Sequence, residues 1–468
     1  MIKQYINGRT ITGNGGSIQV INPATEEIAG VVSCVDTEQV SDALEAAEAA
    51  FKKWSSLSHA ERGKWILKLR DAIAAERETM LQLLMSETGK PLNNAAYDYE
   101  MLIDCLGYFH EEAKRLTGTI IDDLENKFRN LVIRQPLGVV VGYLAWNFPL
   151  LNVGYKLGPA LASGCTCILK PSSRTPLATL YIGEVAEKIG FPAGVINILA
   201  GSGKEVAKVL NESSIPKMLT LIGSYLTGRS IIAQSATSIK HFSLELGGNA
   251  PAIVMPDADI EAAAKLIVSL KFSNTGQVCV SPNRVFVHEN IHDDFIEYAR
   301  HYTEAIKLGW GMEPAADMGP MISGEDRNRV KSLVSEALVC GGKAPQDKPK
   351  GYYFLPTLLD HASMDMRVCR EEIFGPVMPV LTFKNRDEVI AEANNTEYGL
   401  AAYLFTGNIK DVFYISERLE FGSISINEPF YAVNLPHGGV KESGIGKDCS
   451  IYSLEEYYYL KRISIKID

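Results

Sequence analysis

The chain has 468 residues, of which 46% are hydrophobic and 22% charged, and its formal net charge is −10 at pH 7. The length exceeds what one hydrophobic core usually holds, so we expect two or three domains in a globular protein. The acidic balance, without dense runs of lysine and arginine, argues against a nucleic-acid or anionic-membrane partner. Neither a signal-peptide pattern nor a run of about 18 apolar residues is found, which predicts a cytoplasmic protein.

The first part of the chain is predicted to be helical, because apolar residues recur at three- and four-residue intervals through residues 36–57 and 59–88. From residue 137 the pattern changes to short β-branched runs that alternate with helical stretches. Such alternation indicates a parallel, doubly wound sheet. Its strands are predicted at 137–144, 166–170, 194–200, 218–223 and 241–246.

A second alternating region follows residue 250 and predicts a second α/β domain. The last stretch, "YSLEEYYYLKRISIKID", alternates apolar and basic residues after an aromatic run, so it is predicted to be an exposed strand that pairs with another subunit. The strands of the second domain are predicted at 250–255, 283–289, 352–360 and 375–384.

The cysteines are too sparse for a disulfide scaffold, and we expect them to stay reduced. Cys165 and Cys167 alternate along an apolar run without a nearby histidine, so they are predicted to pack within a strand, and no metal site is assigned. The eight cysteines stand at positions 34, 105, 165, 167, 279, 340, 369 and 449.

Three polar stretches follow predicted strands of the first sheet, at the edge where open α/β sheets bind ligands. Asn147 stands in "LAWNFPL", and Lys170 ends the strand before "PSSRTP". In "LIGSYLTGRS", Gly223 and Ser224 join a strand to a helix and would expose helix N-terminal amides to a pyrophosphate. This junction lacks the G-x-G-x-x-G pattern, and each residue alone is also common in ordinary turns.

Three further stretches carry reactive or acidic side chains. Glu245 ends an apolar strand in "LELGGNAP", where a carboxylate is costly unless it is used or paired. Cys279 lies in "FSNTGQVCVSPNR" and is either an inert buried thiol or a nucleophile on a loop. Glu372 and Phe374 precede a Gly-Pro turn in "EEIFGPV".

Taken in this order, the six stretches resemble the aldehyde dehydrogenase superfamily over essentially the whole chain. The separation of Glu245 and Cys279 matches the family's spacing between general base and nucleophile. The resemblance implies a Rossmann-like nicotinamide cofactor domain, a second α/β domain for catalysis and a small β arm that joins subunits into a homodimer or homotetramer. The cofactor domain would comprise 1–116 and 137–246, the catalytic domain 247–449, and the arm 117–136 and 450–468.

The resemblance also implies NAD(P)-dependent oxidation of an aldehyde through a cysteine thioester that water cleaves. Cys279 would be the nucleophile, Glu245 the base that activates the water, and Asn147, with the backbone N–H of Cys279, the oxyanion hole. The implied cofactor contacts are Trp146, Lys170, Ser173, Gly223, Ser224, Glu372 and Phe374.

Two departures from the family pattern bear on specificity. NAD-preferring members often have a glutamate where this chain has Ser173, followed by Arg174, so the cofactor is NAD or NADP, and NADP should be either tolerated or preferred. Succinate-semialdehyde members often have arginines at the places of Tyr155 and Ser273, and both are missing here.

The substrate pocket is expected to be polar, and the substrate a short hydroxylated or anionic aldehyde of the lactaldehyde, sulfolactaldehyde or succinate-semialdehyde type. If His437 is protonated, it would hold an anionic tail; alternatively it is satisfied on a surface turn. A CoA-acylating enzyme and a non-catalytic binding protein are the other classes considered, and Glu245 argues against the first. The expected pocket residues are Asn152, Tyr155, Tyr431, Asn434 and His437.

Overall fold

The computed structural model describes residues 2–334 and 337–467, and within these ranges the chain forms twenty strands and fifteen α-helices. The first part contains β1 (Gln4–Ile6), β2 (Arg9–Ile11), β3 (Ser17–Ile21), β4 (Ile28–Ser33), α1 (Thr37–Ser56), α2 (His59–Ala75), α3 (Arg77–Thr88), α4 (Leu92–Glu112), β5 (Thr119–Asp122) and β6 (Phe128–Pro136). The next part alternates strands and helices: β7 (Val139–Tyr143), α5 (Pro149–Ser163), β8 (Thr166–Lys170), α6 (Leu177–Lys188), β9 (Ile196–Ile198), α7 (Gly203–Glu212), β10 (Pro216–Ile222), α8 (Tyr225–Gln234) and β11 (His241–Glu245). The last part contains β12 (Ala250–Val254), α9 (Ile260–Phe272), β13 (Pro282–His288), α10 (His292–Glu304), α11 (Gly324–Lys331), β14 (Leu338–Cys340), β15 (Thr357–Leu359), α12 (Arg367–Arg370), β16 (Val377–Phe383), α13 (Arg386–Asn394), β17 (Ala401–Phe405), α14 (Ile409–Ser416), β18 (Ser423–Ile426), β19 (Gly444–Ile445), α15 (Ser450–Glu455) and β20 (Tyr458–Lys466).

The first sheet has the strand order β19-β11-β10-β7-β8-β9-β1-β2, with β7 to β11 parallel to one another. The chain runs from β7 outward through β8 and β9, then returns to place β10 on the other side of β7. The order therefore reverses between β7 and β10, and a crevice opens at the carboxyl ends of these two strands. The predicted doubly wound sheet is confirmed.

The second sheet has the order β14-β15-β16-β13-β12-β17-β18 and is parallel except for β14. It confirms the predicted second α/β unit. The strand predicted at 352–360 is shortened to Thr357–Leu359. The backbone N–H of Tyr352 donates instead to the carbonyl of Pro23, 2.9 Å away, so this part of the segment follows the N-terminal region rather than a neighbouring strand.

Both sheets are buried on their two faces, which explains the nearly continuous apolar runs of their strands. Val140 and Val141 of β7 belong to different hydrophobic clusters, and so do Ile253 and Val254 of β12. Because successive strand residues point to opposite faces, each strand contributes to two cores. The central strands thus hold the loops at their carboxyl ends on rigid supports.

The helices predicted from periodicity are present, but the second one is divided. Residues 59–88 form α2 and α3, which meet at Glu76, where the backbone is non-helical (φ −100°, ψ 20°). No proline or glycine marks this break in the sequence. The start of α2 follows the sequence closely, because Ser58 and Glu61 form a reciprocal capping box.

The third sheet is an antiparallel ribbon of β20, β6 and β5, in which β20 pairs with β6 from Tyr458–Pro136 to Lys466–Phe128. Its strands lie within the ranges predicted for the arm, and β20 is exposed, as predicted. Several of its apolar side chains face outward: Ile120, Ile121, Leu460, Ile463 and Ile465.

The strand β19 crosses from one predicted domain to the other. Residues 444–445 fall in the range 247–449 predicted for catalysis, yet β19 pairs antiparallel with β11 at the edge of the first sheet. Glu245 is opposite Gly444 in this pairing. The described helices include none long and apolar enough to span a membrane.

Candidate active site

A cavity of about 1250 Å³ lies between the carboxyl ends of the first sheet's strands and the loop that precedes β13. The residues predicted for the site converge on it from both α/β units. Asn434 is the exception: its side chain is exposed on the turn before His437, outside the cavity lining. The predicted residues that line the cavity are Trp146, Asn147, Asn152, Tyr155, Lys170, Ser173, Gly223, Ser224, Glu245, Cys279, Glu372, Phe374, Tyr431 and His437.

The loop that carries Cys279 is tied to the loop after β7 by two side-chain amides. Asn147 Nδ2 donates to the carbonyl of Gln277 at 3.1 Å, and Asn274 Nδ2 donates to the carbonyl of Asn147 at 3.1 Å. The short helical turn Ser273–Gly276 enters the loop with Asn274 in the left-handed region (φ 47°), a conformation that asparagine tolerates better than most residues. These contacts fix Asn147 beside the cysteine loop.

The Cys279 thiol is partly exposed to the cavity, and its surroundings disfavour the thiolate. Burial raises the pKa of Cys279, and the carboxyl groups of Glu245 and Glu372 raise it further, whereas the backbone N–H groups of Cys279 and Val280 act in the opposite direction. The thiol therefore needs a base when it reacts. The chain approaches closely here: a Cβ on Gly248 would lie 2.3 Å from the Cys279 carbonyl oxygen, so the second glycine of "ELGG" has a steric role.

Glu245 ends β11 with a carboxyl group that has no hydrogen-bond partner among the residues that the structure describes, although both oxygens are buried. Burial raises the pKa of Glu245 well above its usual value, and the negative charge of Asp448 adds to this effect. His437 Nε2 is 3.8 Å from Glu245 Oε2, and a Cβ on Gly438 would lie 2.5 Å from Oε1. A buried, unpaired carboxyl group can accept a proton from a water molecule in the cavity.

Lys156 and Asp448 form a buried ion pair near Glu245 that was not predicted from the sequence. Lys156 of α5 contacts both carboxylate oxygens of Asp448 at 2.6 and 2.8 Å, and the two side chains are 0% and 1% exposed. Lys156 lowers the pKa of Glu245 while Asp448 raises it. A lysine in the apolar stretch "NVGYKLGPA" was the available signal, but nothing nearby in the chain identifies its partner.

The crevice between β7 and β10 has the features that bind a dinucleotide. Ser224 is the N-cap of α8 and accepts the N–H of Thr227 at 3.3 Å, while Gly223 occupies the tight junction before it. The free amides and dipole of this helix end suit a pyrophosphate. Lys170 ends the adjacent β8, and burial lowers its pKa to about 8.

A second group of contacts surrounds the part of the crevice nearer Cys279. The rings of Trp146 and Phe374 meet edge to face, with centroids 5.3 Å apart at 86°. Glu372 Oε1 accepts the N–H of Gly248 at 3.0 Å, and burial raises the pKa of Glu372 to about 7. These features fit a nicotinamide dinucleotide: the N-terminus of α8 suits the pyrophosphate, Glu372 can accept hydrogen bonds from ribose hydroxyls, and Trp146 and Phe374 form an aromatic pair.

Ser173 lines the cavity with an exposed side chain and brings no negative charge to it. The neighbouring Arg174 is engaged elsewhere: its guanidinium pairs with Asp326 at 2.7 Å and lies 5.6 Å from the centre of the Trp146 ring. Asp326 also lines the cavity, but its charge is compensated by this pair.

Aromatic hydroxyls and an imidazole line the cavity on the other side of Cys279. Tyr403 donates to the carbonyl of Val280 at 2.6 Å and hydrogen-bonds Tyr431, whose ring is 6.2 Å from that of His437. Burial, followed by the charges of Lys156 and Lys447, lowers the pKa of His437 to about 4. The buried ring of His437 is therefore neutral near pH 7, so the condition stated for holding an anionic tail, a protonated imidazole, is not met.

The substrate side of the cavity is polar but lacks a cationic side chain among the described residues. Asn152 is fixed by donation to the Ala145 carbonyl at 3.1 Å, and Ser273 adds a hydroxyl. Asn94 and Tyr97 of α4 also line the cavity, and no sequence motif pointed to them. The lining lysines and arginines belong to the crevice side, where they are Lys170, Lys204, Arg329 and Arg370.

Comparisons with known proteins agree with this geometry. A model described as "Aldehyde dehydrogenase family" matches residues 11–463. The mitochondrial succinate-semialdehyde dehydrogenase of Oryza sativa subsp. japonica is 40% identical over 457 residues, which cover 96% of this chain and 86% of that protein. The 3,6-anhydro-alpha-L-galactose dehydrogenase of Vibrio sp. (strain EJY3) is 36% identical over 477 residues, which cover 100% of this chain and 99% of that protein. A crystal structure of an E. coli NADP-dependent enzyme is 36% identical in sequence, with a TM-score of 0.97. The match covers 99% of this chain and 98% of that chain.

Proposed function

The chain belongs to the aldehyde dehydrogenase family, and from this premise we propose that it oxidises a short polar aldehyde to the carboxylate with NAD or NADP. The observation that carries the proposal is the convergence of Cys279 and the unpaired, buried carboxyl group of Glu245 on one cavity. A nucleophilic thiol beside a free base is what acyl formation and its hydrolysis require.

In the proposed reaction, the Cys279 thiol gives its proton to water in the cavity, its Sγ bonds to the aldehyde carbon, and the carbonyl oxygen becomes an oxyanion. Asn147 Nδ2 has a second N–H besides the one donated to Gln277, and this N–H, with the backbone N–H of Cys279, stabilises the oxyanion. Bound NAD(P) supplies the hydride acceptor. Glu245 then takes a proton from the water that attacks the thioester and passes it to Cys279 Sγ, so that Cys279 leaves as the thiol.

Residues of the crevice would hold the cofactor. The N-terminus of α8 with Gly223 and Ser224 would bind the pyrophosphate, and Lys170 with Ser173 the adenosine ribose. Glu372 would accept the hydroxyls of the nicotinamide ribose. Trp146 and Phe374 complete the proposed set of contacts. A serine at position 173 leaves room for a 2′-phosphate without charge repulsion, which supports use of NADP as well as NAD.

For the substrate, we favour an uncharged hydroxylated tail over a carboxylate. The relative from Oryza sativa is named for succinate semialdehyde, and the relative from Vibrio for a sugar aldehyde. An anionic tail usually requires an arginine or lysine to offset its desolvation. The described substrate side offers no cationic donor, and its neutral donors and acceptors include Tyr155, Tyr431 and His437.

A substrate panel with both cofactors, monitored by reduced cofactor without added CoA, tests this proposal. Lactaldehyde and glyceraldehyde should exceed propanal, hexanal and succinate semialdehyde in kcat/KM by about ten-fold or more, the scale of one lost hydrogen bond. Ser273→Arg should raise kcat/KM for succinate semialdehyde, whereas Ser41→Arg, at an exposed position of α1, should not. Activity only with CoA would indicate the acylating class, and hexanal oxidised as well as every polar aldehyde would refute the polar pocket.

We also propose that the first α/β unit binds the cofactor and that the second carries the catalytic cysteine. The same proposal includes a cytoplasmic location and assembly into a homodimer or homotetramer. The exposed apolar side chains of the arm support assembly, because a flat strand edge with outward Leu460 and Ile465 is an unfavourable surface for a lone subunit. Light scattering of the purified protein determines the number of subunits.

A further inference from the structure

Two histidines and an aspartate meet at the outer end of the second sheet, away from the catalytic cavity. His292 is the first residue of α10, and Asp360 and His361 directly follow β15. One donor atom from each side chain lies within 4.8 Å of the others, and none of the three residues lines the cavity. The cluster therefore has no part in the chemistry proposed above.

The local backbone brings the two imidazoles together. His361 has a positive φ of 47°, which is uncommon for a residue with a side chain, and its N–H donates to Asp360 Oδ1 at 2.6 Å. This turn folds the His361 ring over His292, with centroids 4.9 Å apart and planes 25° from parallel. His361 Nε2 is then 3.6 Å from Asp360 Oδ2.

His292 lies between two carboxylates. Its Nε2 is 2.7 Å from Asp360 Oδ1, and its Nδ1 is 3.0 Å from Asp293 Oδ1. A neutral imidazole carries one proton and can satisfy only one of these contacts. When Nδ1–H donates to Asp293, the lone pair of Nε2 faces Asp360, and a cation between them would remove the conflict. A carboxylate that orients the far nitrogen of a ligating histidine is a recurrent feature of protein metal sites.

We propose that His292 Nε2, His361 Nε2 and the Asp360 carboxylate bind a divalent transition-metal ion, with water completing its coordination. Two imidazoles and one carboxylate suit Zn²⁺ and Ni²⁺, whereas Mg²⁺ and Ca²⁺ prefer oxygen ligands. The His361 side chain is 75% exposed, so an ion reaches the site from solvent. His292 is 6% exposed and provides the fixed side of the site.

The bound ion would connect the start of α10 to the segment after β15, two elements far apart in the chain. Because the three ligands come together only in the folded protein, the ion binds the native state and stabilises it. The site would therefore strengthen the outer end of the second sheet without changing the reaction.

Isothermal titration of tag-free, chelator-treated protein with Ni²⁺ tests the proposal. The wild type should bind one equivalent, and His361→Ala should weaken binding at least about ten-fold. His301→Ala, an exposed histidine on the same helix, is the matched control and should bind as the wild type does. Cu²⁺ bound at the site should show coupling to two nitrogens in electron paramagnetic resonance.

Cys279→Ser tests whether Ni²⁺ binds the Cys279 thiol instead of the histidine cluster. This variant should still bind one equivalent of Ni²⁺. Ni²⁺ should also raise the midpoint of thermal unfolding of the wild type but not of His361→Ala. Absence of binding to the wild type, unchanged binding to His361→Ala, or loss of binding in Cys279→Ser or His301→Ala would each overturn the proposal.

Discussion

His437 Nε2 lies 3.8 Å from Glu245 Oε2, so a residue proposed to bind the substrate contacts the same buried space as the proposed base. Burial acts oppositely on the two groups: it raises the pKa of Glu245 and lowers that of His437 to about 4. Near pH 7 the imidazole of His437 is neutral and therefore forms no ion pair with Glu245. His437 therefore adds no positive charge to the substrate side of the cavity near pH 7.

The first prediction concerns the pH dependence of substrate binding. Because the pKa of His437 lies at about 4, the ring does not change charge between pH 6 and pH 8, and KM for lactaldehyde should vary by less than about two-fold over this range. His437→Phe should raise that KM and leave KM for propanal nearly unchanged. An increase in wild-type KM as pH rises through about 6.5 would mean that the imidazole titrates normally and carries charge.

The second prediction separates the nucleophile from the base. Cys279→Ala should abolish aldehyde oxidation while cofactor binding, measured by fluorescence titration, is retained. Glu245→Gln should slow thioester hydrolysis more than hydride transfer, so stopped-flow traces should show a burst of reduced cofactor followed by slow turnover. Near-normal oxidation by Cys279→Ala would refute the mechanism.

The third prediction concerns the choice of cofactor. Ser173→Glu should reduce kcat/KM for NADP much more than for NAD, because a carboxylate would repel the 2′-phosphate but could accept ribose hydroxyls. Ser173→Ala, which adds no charge, should affect the two cofactors alike and serves as the control. If Ser173→Glu reduced kcat/KM equally for NAD and NADP, position 173 would not determine the choice between the two cofactors.

The fourth prediction follows from the buried Lys156–Asp448 pair. Asp448 raises the pKa of Glu245 and Lys156 lowers it, so Asp448→Asn should lower that pKa. Glu245 would then remain a deprotonated base at lower pH, and the acidic limb of the pH profile for thioester hydrolysis should shift to lower pH. An unshifted limb, in protein that retains its cofactor affinity, would contradict the coupling.

The same substitution has a cost in stability. Removing one partner of a buried pair leaves an uncompensated charge and typically costs about 3–5 kcal/mol, so Asp448→Asn should lower the unfolding midpoint. Replacing both residues, as in Lys156→Met with Asp448→Leu, should recover part of that loss. Denaturant unfolding of the wild type and the two variants checks this, and a double variant less stable than Asp448→Asn would argue against the explanation.

Local features of the fold were readable from the sequence, because they depend on neighbouring residues. The capping box of Ser58 and Glu61, and the short apolar strands before Lys170 and Glu245, are encoded within a few positions. The fold class and family were therefore predicted correctly. The break at Glu76 was not, because neither flanking stretch contains a residue that stops a helix.

Features that depend on contacts between residues far apart in the chain could not be predicted from the sequence. Asp448 is 292 positions from Lys156, and no local pattern pairs them. The neutral state of His437 results from burial and from lysines that the fold brings near it, so the residue type alone left its charge open. Asn434 was placed in the pocket with His437 because they are close in sequence, but the turn directs it to solvent.

Two sheets in this protein are completed by strands made late in synthesis. Glu245 of β11 is paired with Gly444, and β6 is paired along its length with β20. A ribosome adding about 5–20 residues per second needs about 10–40 s for the chain between β11 and β19. During that interval both sheet edges remain open to other chains. The nascent protein thus cannot complete the second edge of its base-bearing strand until most of the chain has been made, and this interval is when we expect its dependence on chaperones to be greatest.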